Sequence, residues 1–310
     1  MGCVTTLVLR LPLLAVFAVV VASGGGGESQ AAFPGKNGPI AFASNRDGDY
    51  EIFTIRPDGS HLRRLTRNHV RDACPAWSPD GRRIAFARHR ARQAADIFVM
   101  RADGSGVHRV VRSPGIDRCP AWSPDGRRLA FDRYVFANPP KSPIQDIFTV
   151  RPDGRGLRRL TRNGASLEPS WSTGNRIAWQ WRFELPEFYD IFTMKADGSD
   201  TRMLTNSGDN AEPNWSPEGR QLVYSGKVDS DVLHHELFLV NADGSGGVQL
   251  TDIDKWIRDP AWSPDGRWVV FDYRPGSSAD LGVVRADGSG LRRLTSGRGD
   301  DAQPDWAPAH

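Results

Sequence analysis

Short apolar runs alternate with polar turns along most of the chain. Ile40-Ala41-Phe42 and Ile84-Ala85-Phe86 are two such runs, and Asp96 to Met100 is a third that ends just before an Asp-Gly pair. Short runs rich in β-branched and aromatic residues, bounded by Pro, Asp and Gly, are typical of β-strands joined by tight turns. No segment carries a long helical periodicity, so the pattern predicts an all-β protein.

These runs belong to a sequence repeat. A Trp returns every 44 to 49 residues, in three copies within Pro-x-Trp-Ser-Pro-Asp-Gly, and each repeat also contains a further Asp-Gly pair. Each unit can be divided into four short strands, and this period predicts a six-bladed β-propeller of four-stranded antiparallel blades. We expect the repeated Trp residues to have a structural role, packed between neighbouring blades; they are Trp77, Trp122, Trp171, Trp215, Trp262 and Trp306.

The two ends of the chain complement each other. The first unit begins at Ile40 with what reads as a second strand, and the last unit stops after a first strand at 304–308. We therefore expect the C-terminal strand to pair into the first blade and close the ring, which removes two exposed sheet edges.

The N-terminus has the features of an export signal. Arg10 precedes the apolar run Leu11–Ala22, which small residues follow. This order predicts a signal peptide at 1–22, a flexible Gly-rich linker at 23–32 and the propeller at 33–310. The apolar run is shorter than the roughly 20 residues that span a bilayer. We expect a protein secreted across the cytoplasmic membrane (periplasmic, cell-envelope or extracellular), with no membrane span in the mature chain.

Composition excludes several classes of protein. The formal net charge is only +3, which gives no reason to expect a nucleic-acid partner. Ten Trp do not fit a disordered chain, and three Cys are too few for a disulfide-dense scaffold. Two of these cysteines, Cys74 and Cys119, occupy equivalent positions in adjacent repeats, so they are a candidate disulfide.

One position of the repeat varies while its neighbours do not. The residue before the motif Pro directly precedes the predicted innermost strand, so we expect it to face the mouth of the central channel. Its acidic members, with aspartates nearby, suggest a partly acidic ring for a cation or a cationic group; a hydrated channel without function is the alternative. The candidate residues are Glu168, Glu212, Asp259 and Gln303, with Asp72 and Asp117 nearby.

A second candidate surface consists of aromatic residues in the longest variable loops. Variable loops on a rigid scaffold often carry function, and exposed aromatic rings suit a partner protein or a carbohydrate. Packing of the rings on one another is the alternative. The candidates are Tyr134, Trp181, Phe183, Tyr189 and Trp256.

Basic pairs recur near the end of several repeats, as in Leu62-Arg63-Arg64-Leu65. They fall on the predicted outermost strands, where charge discourages edge-to-edge aggregation. We expect a solvated edge, with polyanion binding as the alternative.

The repeated motifs also resemble a known family. Pro-x-Trp-Ser-Pro-Asp-Gly and Asp-Ile-Phe-x-x-x-x-Asp-Gly are similar to the WD-like repeats of the TolB-type propeller family, over residues 33–308. The copy at Trp171 departs from the motif, with Ser172-Thr173-Gly174 at the turn. The resemblance implies the propeller part of that family, without its N-terminal domain.

No catalytic motif accompanies the repeats. The chain has neither Gly-x-Ser-x-Gly nor His-Glu-x-x-His. We therefore favour an exported, non-catalytic scaffold that binds a protein or peptide through its variable loops and channel mouth, and we expect a monomer. The alternatives are a metal-dependent lyase or hydrolase with its site in the channel, and a carbohydrate-binding propeller. No cofactor is predicted, and a divalent cation or a small-molecule ligand is left open.

Overall fold

The computed structural model describes residues 35–91, 94–135, 144–182, 188–206, 208–228 and 234–309. The predicted signal peptide and linker lie outside these ranges, as does Phe183. Within them the regular structure consists of β-strands, and no helix there has the length and apolar character needed to cross a membrane.

The strands are numbered in chain order and are mostly five to nine residues long, apart from several of two residues. They are β1 (Lys36–Ser44), β2 (Glu51–Ile55), β3 (Arg63–Arg64), β4 (Asp72–Trp77), β5 (Arg83–Ala91), β6 (Ala94–Arg101), β7 (His108–Arg109), β8 (Ile116–Trp122), β9 (Leu129–Val135), β10 (Ile144–Val150), β11 (Arg158–Arg159), β12 (Ser166–Trp171), β13 (Arg176–Arg182), β14 (Tyr189–Lys195), β15 (Arg202–Met203), β16 (Asn210–Trp215), β17 (Gln221–Lys227), β18 (His235–Asn241), β19 (Val248–Gln249), β20 (Ile257–Trp262), β21 (Trp268–Tyr273), β22 (Asp280–Arg285), β23 (Arg292–Arg293) and β24 (Asp301–Ala309).

The sheet count corrects the prediction of six four-stranded blades, which is wrong. Four sheets are four-stranded and antiparallel: β24-β1-β2-β3, β12 to β15, β16 to β19 and β20 to β23. The strands β4 to β11 instead form one eight-stranded sheet. The architecture is still that of an all-β propeller.

A single residue pair joins the two halves of the eight-stranded sheet. Ala95 in β6 pairs in parallel with Ile116, the first residue of β8. Similar parallel bridges, Gln145 to Ala165 and His235 to Trp256, occur elsewhere but stay isolated, because Ala165 and Trp256 lie just before their strands begin. The sheets merge where β8 starts early enough to include the bridge.

The chain ends meet as expected from the incomplete first and last repeats. The last strand, β24, pairs antiparallel with β1, from Lys36 opposite Ala309 to Ser44 opposite Asp301. Trp306 in β24 also donates its indole N–H to the carbonyl of Gly38 at 3.0 Å. The N- and C-terminal segments therefore complete one sheet together.

The core lies between neighbouring sheets, and the repeated Trp residues are buried in it. Trp77 packs with Ala41 and Ile52 of the first sheet, and Trp215 packs with Ala178 and Ile191 of the sheet before its own. All six repeated Trp side chains are at most 6% exposed. Because each ring fills the space between two sheets, these residues position the innermost strands around a common centre.

Candidate functional site

The innermost strands β4, β8, β12, β16, β20 and β24 surround a central channel with a cavity of about 140 Å³. Each strand has a register shift next to the residue that precedes the motif Pro. These residues adopt left-handed backbone conformations with φ between 47° and 57°, and all of them line the channel; they are Cys74, Cys119, Glu168, Glu212, Asp259 and Gln303. We call them the bulge residues.

A left-handed conformation costs a non-glycine residue roughly 1–2 kcal/mol. This strain accompanies a β-bulge, which turns the side chain toward the channel. The regular alternation of the strand would place the same side chain differently. The variable position that the sequence singled out is therefore also the position where the backbone is specially bent.

Hydrogen bonds between neighbouring sheets fix the bulge residues. The backbone N–H of five of them donates to a side-chain oxygen of the preceding sheet. The pairs are Cys74 to Gln303 (3.0 Å), Glu168 to Asp132 (3.4 Å), Glu212 to Gln180 (2.8 Å), Asp259 to Glu212 (2.7 Å) and Gln303 to Asp272 (3.0 Å). Several of the residues predicted to lie at the channel mouth therefore join neighbouring sheets through hydrogen bonds.

Three of these acceptors were not predicted from the sequence. Asp132, Gln180 and Asp272 each follow a buried aromatic residue on a second strand, whereas the equivalent residue in β5 is Ala87. A polar residue at a position that is elsewhere apolar was the signal that could have identified them.

Burial removes negative charge from the acidic ring. It raises the pKa of Glu168 to about 8, with a further contribution from the charges of Glu212 and Asp132. Burial likewise raises the pKa of Asp259 well above its usual range and that of Asp272 to about 6. At neutral pH, Glu168 is therefore mostly protonated, and the ring is less anionic than its composition indicates.

Asp72 and Asp117 do not line the channel. Both side chains are fully buried, Asp72 between the Nε and Nη2 atoms of Arg88 at 2.7 Å each, and Asp117 against Arg133 at 2.6 and 2.9 Å. These bidentate ion pairs join the first and second strands of their sheet halves.

Above the bulge residues the channel opens into a cavity of about 290 Å³, which we call the mouth pocket. The two cavities share Cys74, Cys119, Glu168, Asp259 and Gln303. Five of the side chains that line the mouth pocket are basic, and four are acidic: Arg71, His89, Arg118, Arg258 and Arg274 against Glu168, Asp259, Asp272 and Asp300. The sequence analysis did not identify the basic set, although Arg118 and Arg258 directly precede two bulge residues.

Cys74 and Cys119 are free thiols whose Sγ atoms lie 2.8 Å apart across two innermost strands. Their mutual hydrogen bond lowers the pKa of Cys74 and raises that of Cys119 well above its usual range. The disulfide stays a prediction.

The aromatic candidates do not form one exposed surface. Tyr134, Trp181 and Tyr189 lie within β9, β13 and β14, and Trp181 packs edge-on against Phe192 at 4.8 Å. Trp256 lies 6.5 Å from the ring of His235, with the guanidinium of Arg258 stacked 5.3 Å above its own ring. Trp256 is therefore linked to the mouth pocket through Arg258, which lines that pocket.

Among the described residues, no group of three or more His, Cys, Asp or Glu side chains has an arrangement that could hold a metal ion. Of the channel carboxylates, Glu212 accepts hydrogen bonds from Arg258 at 2.9 Å and from the backbone N–H of Asp259 at 2.7 Å. The metal-dependent enzyme stays a prediction.

Comparisons with known proteins place the chain in a family. The family described as "TolB beta propeller domain" matches residues 72–264, which is more than half of the chain. "Protein TolB homolog" from Chlorobium luteolum is 39% identical over 54 residues, and "Tol-Pal system protein TolB" from Desulfosudis oleivorans is 43% identical over 51 residues. These alignments span 17% and 16% of this chain, and 12% of each relative.

The similarity in fold extends further than the similarity in sequence. The crystal structure of TolB from Acinetobacter baumannii superposes with a TM-score of 0.75 at 20% identity, over 89% of this chain and 68% of that one. The repeated motifs, the channel and the family match agree with one another. The chain belongs to the TolB β-propeller domain family.

Proposed function

We propose that the protein is a non-catalytic scaffold that binds a protein or peptide partner at the mouth of its central channel. One observation carries this proposal: the mouth pocket is an open cavity with charged walls, built on a backbone fixed by hydrogen bonds between sheets. Such preorganisation lowers the entropic cost of binding. One relative is named as a protein of the Tol-Pal system, which supports a role in an assembly.

We also propose that the protein is exported. The support is the basic residue Arg10 ahead of the apolar run Leu11–Ala22. Export would place the mouth pocket among envelope or extracellular partners.

Site-specific photocrosslinking in the source cells tests the binding proposal. A benzophenone amino acid replaces His89 in the mouth pocket, and in a matched variant it replaces Ser245, an exposed residue of the Asp-Gly turn at the opposite end of the strands. We expect a protein to be captured from position 89 and not from position 245. Equal capture from both positions, or capture from neither, would contradict the proposal.

A further inference from the structure

The basic wall of the mouth pocket has more hydrogen-bonding capacity than the protein itself uses. A guanidinium offers five N–H donors. Arg118 contacts buried Asp132 at 3.4 Å and Arg274 contacts Asp300 at 3.5 Å, each through a single long ion pair. By contrast, Arg88 and Arg133, which lie outside the pocket, each hold a carboxylate with two bonds of 2.6 to 2.9 Å.

Of the arginines that line the mouth pocket, Arg71 is the one most available to bind a ligand. It forms no ion pair with any residue in the part of the chain that the structure describes, and its guanidinium lies 4.6 Å above the ring of Tyr50. Tyr50 is held in turn, because its hydroxyl donates to Asp300 at 2.9 Å. The ring thus orients a free cation at the edge of the pocket.

The acids that line the same pocket, Glu168, Asp259, Asp272 and Asp300, offset these cations only in part. Asp300 accepts hydrogen bonds from the Tyr50 hydroxyl and from the backbone N–H of Ala279 at 2.8 Å, in addition to its contact with Arg274 at 3.5 Å. Burial raises the pKa of Glu168 to about 8, which keeps it mostly uncharged at neutral pH, and also raises that of Asp259, whereas Asp272, with a pKa raised to about 6, stays mostly ionised.

The pKa of His89 reflects the positive charge of the neighbouring arginines. Burial lowers its pKa first, and the charges of Arg71 and Arg118 lower it further. The imidazole is therefore mostly neutral at pH 7. Three arginines that line the same pocket have side chains exposed by 37 to 46%: Arg118, Arg258 and Arg274.

We propose that the mouth pocket binds a carboxylate-rich segment of the protein partner, with Arg71 and Arg274 as its principal contacts. The planar guanidinium fork matches a carboxylate in two parallel hydrogen bonds. The cavity of about 290 Å³ suits one or two acidic side chains rather than a large ligand. This inference rests on the proposed function and reverses the charge that the acidic ring suggested for the partner.

The test measures peptide binding by fluorescence anisotropy with the purified full chain. The probes are labelled peptides of alternating Gly with Glu, Gln or Lys, and free citrate serves as a competitor. We expect the Glu peptide to bind, the Lys and Gln peptides to bind at least about tenfold more weakly, and citrate to compete only weakly. Preferential binding of the Lys peptide would overturn the inference.

Matched variants locate the site. In the double variant Arg71→Gln/Arg274→Gln, affinity for the Glu peptide should fall about tenfold or more. The control Arg202→Gln/Arg220→Gln removes the same charge from side chains that are 67% and 83% exposed outside the mouth pocket, and should change affinity less than about twofold. Equal losses in the two double variants, both with unchanged melting temperatures, would also overturn it.

The two proposals fail in different ways. Photocrosslinking at position 89 that captures a partner without an acidic contact segment would leave the scaffold proposal standing and overturn this one. Glu-peptide binding that depends on Arg71 and Arg274, without any captured protein, would support the pocket's preference and contradict the scaffold. Citrate binding as tight as that of the Glu peptide would assign the pocket to a free carboxylate and overturn the peptide part.

Discussion

Glu168 illustrates how burial sets the chemistry of single residues in the channel. Its Oε2 atom is buried without a hydrogen-bond partner among the described residues, and its pKa is raised to about 8, mainly by burial. In the unfolded chain a Glu carboxyl titrates near about 4.3. The folded protein therefore binds a proton at Glu168 that the unfolded chain has lost at neutral pH.

This linkage predicts a pH dependence of stability. A raised folded-state pKa gives a contribution that is complete below the unfolded pKa and is lost as pH rises through the folded pKa of about 8. Between about pH 5 and about pH 9, the wild-type free energy of unfolding should therefore fall relative to that of Glu168→Gln, by roughly 4 kcal/mol. Urea unfolding at both pH values measures the difference.

Glu218→Gln is the control, because Glu218 is 71% exposed on a turn at the other end of the strands. It should follow the wild type at both pH values. If Glu168→Gln also stayed parallel to the wild type, the carboxyl would be ionised in the folded protein and the reduced charge of the ring would be wrong.

The two-residue outer strands show how side chains fix an element that has little backbone pairing. In β23, Arg292 donates from Nη2 to the carbonyl of Pro57 at 2.7 Å, and Arg293 pairs with Asp280 at 2.6 Å. Asp280 is only 4% exposed, whereas Arg292 lies at the exposed edge. Where a solvated edge was expected, neighbouring arginines of one strand have two different and well-defined partners.

The two arginines should therefore differ in their contribution to stability. Arg293→Gln leaves the buried carboxylate of Asp280 without its cation, and we expect a loss of about 1–2 kcal/mol in the free energy of unfolding, reduced by the exposure of Arg293 itself. Arg292→Gln should cost less than about 0.5 kcal/mol, because water replaces its bond to an exposed carbonyl. Chemical denaturation compares the pair, and equal losses would refute this distinction.

For the molecule as a whole, periodic features were predictable from sequence and single contacts were not. The strand pattern, the position of the bulge residues in the channel and the pairing of the chain ends all follow from a motif that recurs with regular spacing. The number of sheets could not be predicted from the motif, because it depends on a single pair. Ile116, at the start of β8, pairs with Ala95 and merges two groups of four strands into one sheet.

The charge of the candidate site could not be predicted from the sequence either. The acidic residues were identified, but their protonation depends on burial that only the packed channel creates. Arg71 and Arg274 come from segments about 200 residues apart, and only the closed arrangement of sheets brings both to the mouth pocket. Closure is therefore the condition on which the proposed site depends.

Closure is tested most directly by removing most of β24. Deleting residues 302–310 should lower the melting temperature by about 10 °C or more, because the variant loses Trp306 from the core and exposes an edge of β1. A synthetic peptide of residues 301–310 should restore part of the loss, whereas a scrambled peptide should not. An unchanged melting temperature after the deletion would contradict the closed ring and the binding site built on it.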